Sequence, residues 1–339
     1  MSMPIPKYSQ ILICLFAFSA TLLSRAAGNP FLGEWELTIP GGAAGWLGVE
    51  EKNGKLEASI MWGSGSVLPL ASAKVDGDHL LLTRDYEIER TDASGKKTKV
   101  NLTENITGSI KGDQIQLVSV KPDENSPGRD KEAHFSGRRQ PPMPPAPDLS
   151  RVKFGKPIKL FNEKDLTGWR LTNPAAVNGW SVKDKLLVNN PKQEEGKPHK
   201  NYGNLRTDRE FEDFNLKVEV RVETNQNSGV YLRGIYEVQV EDSFGGAPDP
   251  HHMGAVYSRI KPTVAAEKPP GEWQTMDITF VDRHVTVVLN GKRIIDNQPV
   301  MGCTGGALWS DVSKPGPIYL QGDHTGITYR SLVLKPVVK

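Results

Sequence analysis

Apolar and polar residues alternate with period two along much of the chain. Phe214, Leu216, Val218, Val220 and Val222 interleave with Asn215, Lys217, Glu219, Arg221 and Glu223, which predicts a strand with one buried face. Met276, Ile278 and Phe280 begin another such strand, and Val285, Val287 and Leu289 a third. The third ends at Asn290-Gly291, a dipeptide suited to a type I′ hairpin that returns the chain along 293–295. Upstream, strand-like runs recur at 33–38, 46–51, 55–62, 66–73, 79–83, 97–103, 106–110 and 114–120. Asn53-Gly54, Asp76-Gly77, Ser94-Gly95 and Lys111-Gly112 mark turns between them. No long segment carries a helical period. The expectation is an all-β chain, a small antiparallel β-barrel or sandwich followed by a two-sheet jelly roll.

Pro141-Pro142-Met143-Pro144-Pro145-Ala146-Pro147 separates the halves. Such a run favours extended polyproline II and cannot continue a helix or a central strand. Residues 138–150 therefore read as a linker between a domain at 27–137 and another at 151–339. At the N-terminus, Lys7 precedes an apolar stretch at 11–23 and the small-residue site Ser24-Arg25-Ala26. This is the pattern of a signal peptide over 1–26, too short to span a membrane comfortably, so export to the periplasm or beyond is expected. No later apolar run is long enough for a transmembrane helix. Cleavage would remove Cys14 and leave Cys303 without an internal disulfide partner. A buried, inert thiol suits Cys303 better than a catalytic one, which would need an activating base.

Composition narrows the function. The chain has 42 Lys+Arg against 40 Asp+Glu, so it lacks the basic footprint of a nucleic-acid binder. The zincin H-E-x-x-H, a paired C-x-x-C zinc signature, the G-x-S-x-G elbow and the Walker A loop are all absent. Asn101 and Asn105 fit glycosylation sequons but read as outward polar positions of adjacent strands.

Two resemblances sharpen the picture. The opening Gly33-Glu34-Trp35 and closing Phe135-Ser136-Gly137 of the first domain resemble the ends of meander barrels such as lipocalins. In the second half, Leu160-Phe161-Asn162 with Leu166-Thr167-Gly168-Trp169 is followed by Phe211-Glu212-Asp213-Phe214-Asn215-Leu216. Then come Asn227-Ser228-Gly229-Val230-Tyr231-Leu232-Arg233, Tyr236-Glu237-Val238-Gln239-Val240, Gly254-Ala255-Val256-Tyr257, Gly271-Glu272-Trp273 and Gly316-Pro317-Ile318-Tyr319-Leu320-Gln321. In this order the text resembles the 3-keto-disaccharide hydrolase family over about residues 155–337. The resemblance implies a concanavalin/laminin-G-like jelly roll and cleavage of glycosides oxidised at C3. The alternative on the same fold is a non-catalytic carbohydrate-binding module, since fold does not fix function. The carbohydrate is the expected partner in either case. The family commonly reads Leu-Gln-Asp-His-Gly near its end, whereas this chain has Gly322 between Gln321 and Asp323-His324, which could displace His324.

Candidate site residues follow. Glu237 and Gln239 alternate with Tyr236, Val238 and Val240, giving that strand a polar face. On the residues alone this face meets solvent; the resemblance makes it the concave face toward a sugar, with Glu237 as a general base or metal ligand. His324 is the natural acid/base by residue type. Arg233 could bind sugar oxygens or an enolate, or simply pair with a carboxylate. Tyr257 could donate a proton or pack. Gln239, Gln321 and Trp309 are candidate sugar contacts, whereas Trp169 and Trp273 read as core. Asp242 and His252 are candidate ligands of a divalent cation; His251 beside His252 would face the other way on extended backbone.

Overall fold

The computed structural model describes residues 28–63, 65–91, 95–124, 126 and 128–338; the expected signal peptide lies outside them. The first sheet contains β1 (Gly33–Thr38), β2 (Ala44–Lys52), β3 (Lys55–Trp62), β4 (Leu68–Pro69), β5 (Ser72–Asp76), β6 (His79–Thr91), β7 (Lys97–Lys111), β8 (Gln114–Pro122) and β9 (Asp130–Arg139). Each pairs antiparallel with its neighbour in the order β4-β3-β2-β1-β9-β8-β7-β6-β5. The two ends of this path are consecutive in sequence: Leu70 N donates to Ala58 O and Ala71 N to Thr83 O, both at 2.8 Å. The meander therefore closes on itself, and the expected barrel or sandwich is a barrel. Closure removes exposed sheet edges. Trp35, Leu37, Leu47, Ile60, Leu80 and Ile115 fill its interior, each without exposed surface. At the β2–β3 hairpin Lys52 faces Lys55 across Asn53-Gly54, whose φ angles of 52° and 73° are those a type I′ turn requires. Asn101 and Asn105 lie exposed on the single strand β7, not on adjacent strands.

The second half carries β10 (Ile158–Lys159), β11 (Trp169–Leu171), β12 (Trp180–Lys183), β13 (Leu186–Asn189), β14 (Leu205–Thr207), β15 (Phe214–Arg221), β16 (Asn227–Leu232), β17 (Tyr236–Glu241), β18 (Trp273–Val281), β19 (His284–Leu289), β20 (Lys292–Pro299), β21 (Tyr319–Leu320) and β22 (Ile327–Pro336). An eight-stranded sheet runs β12-β13-β22-β15-β18-β19-β20, with β10 also on β22. A five-stranded sheet runs β11-β14-β21-β16-β17. Their inner faces share one core, in which Phe214, Leu216, Val218, Ile278 and Phe280 meet Val230, Leu232, Tyr236, Val238 and Val240. This is a concanavalin-like β-sandwich. The period-two strand lies at its centre as β15, and Asn290-Gly291 turns β19 into β20 with both φ angles positive. Among the described residues no helix is long and apolar enough to cross a membrane.

Barrel and sandwich meet along an ordered seam, and Phe31–Lys339 forms one compact unit. Trp46 of β2 belongs to the sandwich core together with Ala44 and Met61. A Cβ at Gly302 would strike the Trp46 ring, and the half-buried Arg259 stacks 4.2 Å from its centroid. Burial lowers Arg259 to about 10. Cys303, also buried here, has its thiol raised to about 11 by desolvation, which makes it a poor nucleophile. The proline run lies along the sandwich: Arg283 donates to the carbonyls of Pro141 and Pro142, and Asn297 Nδ2 donates to Pro147 O at 3.0 Å.

Candidate active site

The outer face of the five-stranded sheet is where the polar residues collect. Alternation along β16 sends Val230 and Leu232 into the core and leaves Asn227, Gly229 and Tyr231 on the other side. On β17 the same alternation puts Glu237, Gln239 and Glu241 beside them, in the registers Tyr231↔Glu237, Gly229↔Gln239 and Asn227↔Glu241. Tyr319 of β21 pairs with Tyr231 across the other edge of β16. Asn227, Tyr231, Glu237, Gln239 and Tyr319 of this face, with Asn204, Tyr257, Gly305, Gly306, Gln321, Asp323 and His324, line a cavity of about 130 Å³. That is small beside the ~300–1,000 Å³ of pockets that engulf a whole ligand. It suits part of a small molecule, with the rest lying outside.

Glu237 sits at the base of this cavity, 3% exposed. Its carboxyl leans over Gly229, where any Cβ would collide with it. A side chain at position 229, diagonal to the acid across the ladder, would force the carboxyl to move. Burial pushes the Glu237 carboxyl up to about 8; the Tyr231 hydroxyl opposes the shift, and the charges of Asp323 and Glu241 add to it. Tyr231 donates to Gly305 O at 2.8 Å, so its single proton is already committed and it offers the carboxylate little. The charges that act on it are acidic, and they add to the desolvation rather than offset it. Glu237 is therefore mostly protonated at neutral pH, and it is an unusually strong base once ionised.

The floor is aromatic. Tyr231 and Tyr319 stack with centroids 3.8 Å apart and planes 13° from parallel. Tyr319 donates to Gly306 O at 2.6 Å, so both phenols tie the Gly305-Gly306 loop to the sheet. Burial raises both hydroxyls well above their ordinary range, which keeps them protonated. Thr304 holds the same loop from below, its hydroxyl accepting from Glu237 N at 2.9 Å.

Two amide oxygens, Gln239 Oε1 and Gln321 Oε1, are buried at the cavity without hydrogen-bond partners. Buried polar atoms are costly when unsatisfied, so both oxygens are open to a hydrogen-bond donor on a bound molecule. At the rim, His324 Nδ1 lies 2.8 Å from Asp323 Oδ1, a contact that raises the histidine's affinity for a proton. Gly322 does not displace His324 from the cavity. Its N–H donates to Asn204 Oδ1 at 2.7 Å, its carbonyl accepts from Asn189 Nδ2 at 2.9 Å, and a Cβ there would press on the Trp180 indole.

The structure thus brings together Glu237, Gln239, Tyr257, Gln321 and His324. It places the other candidates elsewhere. Arg233 occupies the β16–β17 turn at φ 54° and donates to the carbonyls of Val312 (2.8 Å) and Lys314 (2.6 and 3.1 Å). It clamps a loop and does not line the cavity. Trp309 lines a separate cavity of about 370 Å³ at the seam, with Glu36, Arg138 and Asp311. Asp242 Oδ2 accepts from Asn225 N at 3.1 Å, and His252 Nδ1 pairs with Ala247 O at 2.8 Å. These two do not converge, and among the described residues no group of three or more His, Cys, Asp or Glu could hold a metal ion. A cation bound by Asp242 and His252 does not fit this arrangement. Asn204, Asn227, Tyr231, Tyr319 and Asp323 were not singled out from sequence. Tyr231 and Tyr319 carried a readable signal, since alternation from Gly229 and Gln321 puts them on the same face as Glu237.

Comparison with known proteins locates the same region. The family model described as a 3-keto-alpha-glucoside-1,2-lyase-like domain matches residues 156–335. No curated protein matches the chain. Among solved structures, a provisionally assigned glycosyl hydrolase from Parabacteroides distasonis ATCC 8503 is 30% identical. The match covers 57% of this chain and 92% of that one, with a TM-score of 0.44. Another from the same organism is 22% identical over 54% of this chain and 94% of that one, with a TM-score of 0.46.

Proposed function

This chain belongs to the family of 3-keto-alpha-glucoside-1,2-lyase-like domains, and from that membership and the Glu237 cavity we propose that it cleaves glycosides carrying a ketone at C3. Membership supports a glycoside-acting enzyme. The finer reading rests on one observation: a single buried carboxyl faces the cavity, with unpartnered amide oxygens beside it.

An oxocarbenium route uses two carboxyl groups flanking the scissile bond, and a C3 ketone disfavours the positive charge it develops. The ketone instead acidifies the neighbouring C2–H. Ionised Glu237 takes that proton, the electron pair forms an enolate, and the enolate expels the C1 substituent. His324, kept readily protonated by Asp323, or Tyr257 supplies a proton to the departing oxygen. Water adding at C1, with a proton returned to C2, completes a net hydrolysis; release before hydration gives a lyase. Gln239 and Gln321 accept sugar hydroxyls and hold the ring over Glu237. The leader-like residues 1–26 place this activity, on our reading, outside the cytoplasm.

The test compares 3-keto-trehalose and a 3-keto-glucoside with their unoxidised parents. Turnover of the 3-keto sugars alone supports the proposal. Equal rates on both would indicate an ordinary glycosidase, and binding without turnover would indicate a carbohydrate-binding module.

A further inference from the structure

The family match begins at residue 156 and gives the barrel no part in the cavity. Yet the segment leaving β3 reaches it. Gly306 N donates to Gly63 O at 3.2 Å, and Val67 N donates to Ser258 Oγ at 2.9 Å. Between them, Ser66 Oγ lies 3.0 Å from His251 Nε2 and 3.5 Å from the Tyr257 hydroxyl. Gly306 and Tyr257 both line the Glu237 cavity. The His251 ring is gripped from its other side by Asp249, 2.9 Å from Nδ1, and stands edge-on to Tyr257 with centroids 5.0 Å apart.

We propose that Ser66, supplied by the barrel, is a positioning residue for the sandwich's cavity, fixing His251 and through it the ring and hydroxyl of Tyr257. The proposal rests on the functional reading of the cavity given above. Asp249 also accepts from His251 N at 2.9 Å. As an acceptor-only carboxylate it takes the Nδ1–H of the ring, which leaves Nε2 to accept from the Ser66 hydroxyl. Both ring nitrogens are then used, so one rotamer and one tautomer are selected. The His251 edge holds the Tyr257 ring, and Ser66 approaches its oxygen directly. Without the hydroxyl, His251 loses its Nε2 partner and Tyr257 loses two supports at once. Small misplacements of a proton donor cost rate more than they cost binding.

The test uses the full chain with Ser66→Ala and Ser66→Thr, comparing turnover of a 3-keto-glucoside and the ring 15N signals of His251, assigned by their loss in His251→Gln. Ser66→Ala should lower kcat about tenfold with KM nearly unchanged and move the His251 Nε2 resonance. Ser66→Thr, which keeps a hydroxyl, should restore most of the rate. An unmoved Nε2 resonance in Ser66→Ala, a kcat equal to that of the unsubstituted chain, or a Thr variant no better than Ala would overturn the proposal. If the unsubstituted chain turns over no 3-keto sugar, the functional reading fails, and the ring 15N signals alone decide whether Ser66 holds His251.

Discussion

Two carboxyl side chains, one in each half, are equally buried and differently used. Glu104 of β7 and Glu237 of β17 are both 3% exposed. Glu104 faces Arg84 across the β6–β7 ladder, with Nε and Oε2 2.7 Å apart, and accepts from the Ser119 hydroxyl. Glu237 has a tyrosine beside it and two acidic residues whose charges oppose its ionisation. The barrel sets its buried acid against a basic partner; the sandwich buries a carboxyl and leaves its ionisation opposed. The first arrangement holds strands together. The second stores proton affinity, which is what a base acting on a carbon acid needs.

The sharpest way to break this comparison is to neutralise each acid by Glu→Gln. Glu237→Gln should cost about 10²–10⁴-fold in turnover if the group transfers a proton, while the chain folds normally. Glu104→Gln should leave turnover nearly intact and lower stability by about 3 kcal/mol, because it strands Arg84 beside a neutral partner. Denaturant titration and steady-state kinetics on both variants separate the roles. Equal kinetic losses in the two would remove the distinction.

A smaller effect concerns pH. The folded-state value of Glu237, about 8, lies above its ordinary 4.5. Its contribution to stability is complete below about 4.5, where both states hold the proton. That contribution is lost as pH rises toward 8, since the unfolded chain ionises first. Turnover should at first move the opposite way, rising with pH as the base form fills, to a plateau above about 8 if Tyr257 is the proton donor and to a maximum followed by a fall if His324 is. Thermal midpoints and kcat/KM measured over that range check both signs. In Glu237→Gln the stability slope over the same window should flatten, leaving that variant the more stable of the two at pH 8.

The same pair shows what was legible in the sequence. Alternation at 214–222 and the Asn-Gly turns depend on local chemistry, and β15 and the β19–β20 hairpin appear where that chemistry puts them. The long β7 was read as two strands because Glu104-Asn105 interrupts the apolar pattern. The interruption is an inward acid neutralised by Arg84, a cross-strand fact that a linear pattern does not carry. At the site, the polar face of β17 was visible, but whether it met solvent or a cavity depended on Tyr257, the Gly305-Gly306 loop and Asp323-His324 folding over it. Arg233 was a reasonable anion binder by residue type, and the turn that carries it points its guanidinium at the carbonyls of Val312 and Lys314. Trp309 belongs to the seam for a similar reason: its surroundings are set by Arg138 and Asp311, far apart in sequence and bonded at 2.7 Å. Ser66 had no signal at all, because its partners lie in the other half of the chain.

Removal of the C2 proton of a 3-keto glycoside by Glu237 is the step on which the proposed function turns. It is tested most directly by running the reaction in D2O and locating deuterium in the released 3-keto sugar, under conditions where that sugar does not exchange by itself. Deuterium at C2 is expected with the unsubstituted protein, and loss of both incorporation and cleavage with Glu237→Gln. Cleaved product that keeps its original C2 hydrogen would contradict it and leave displacement at C1.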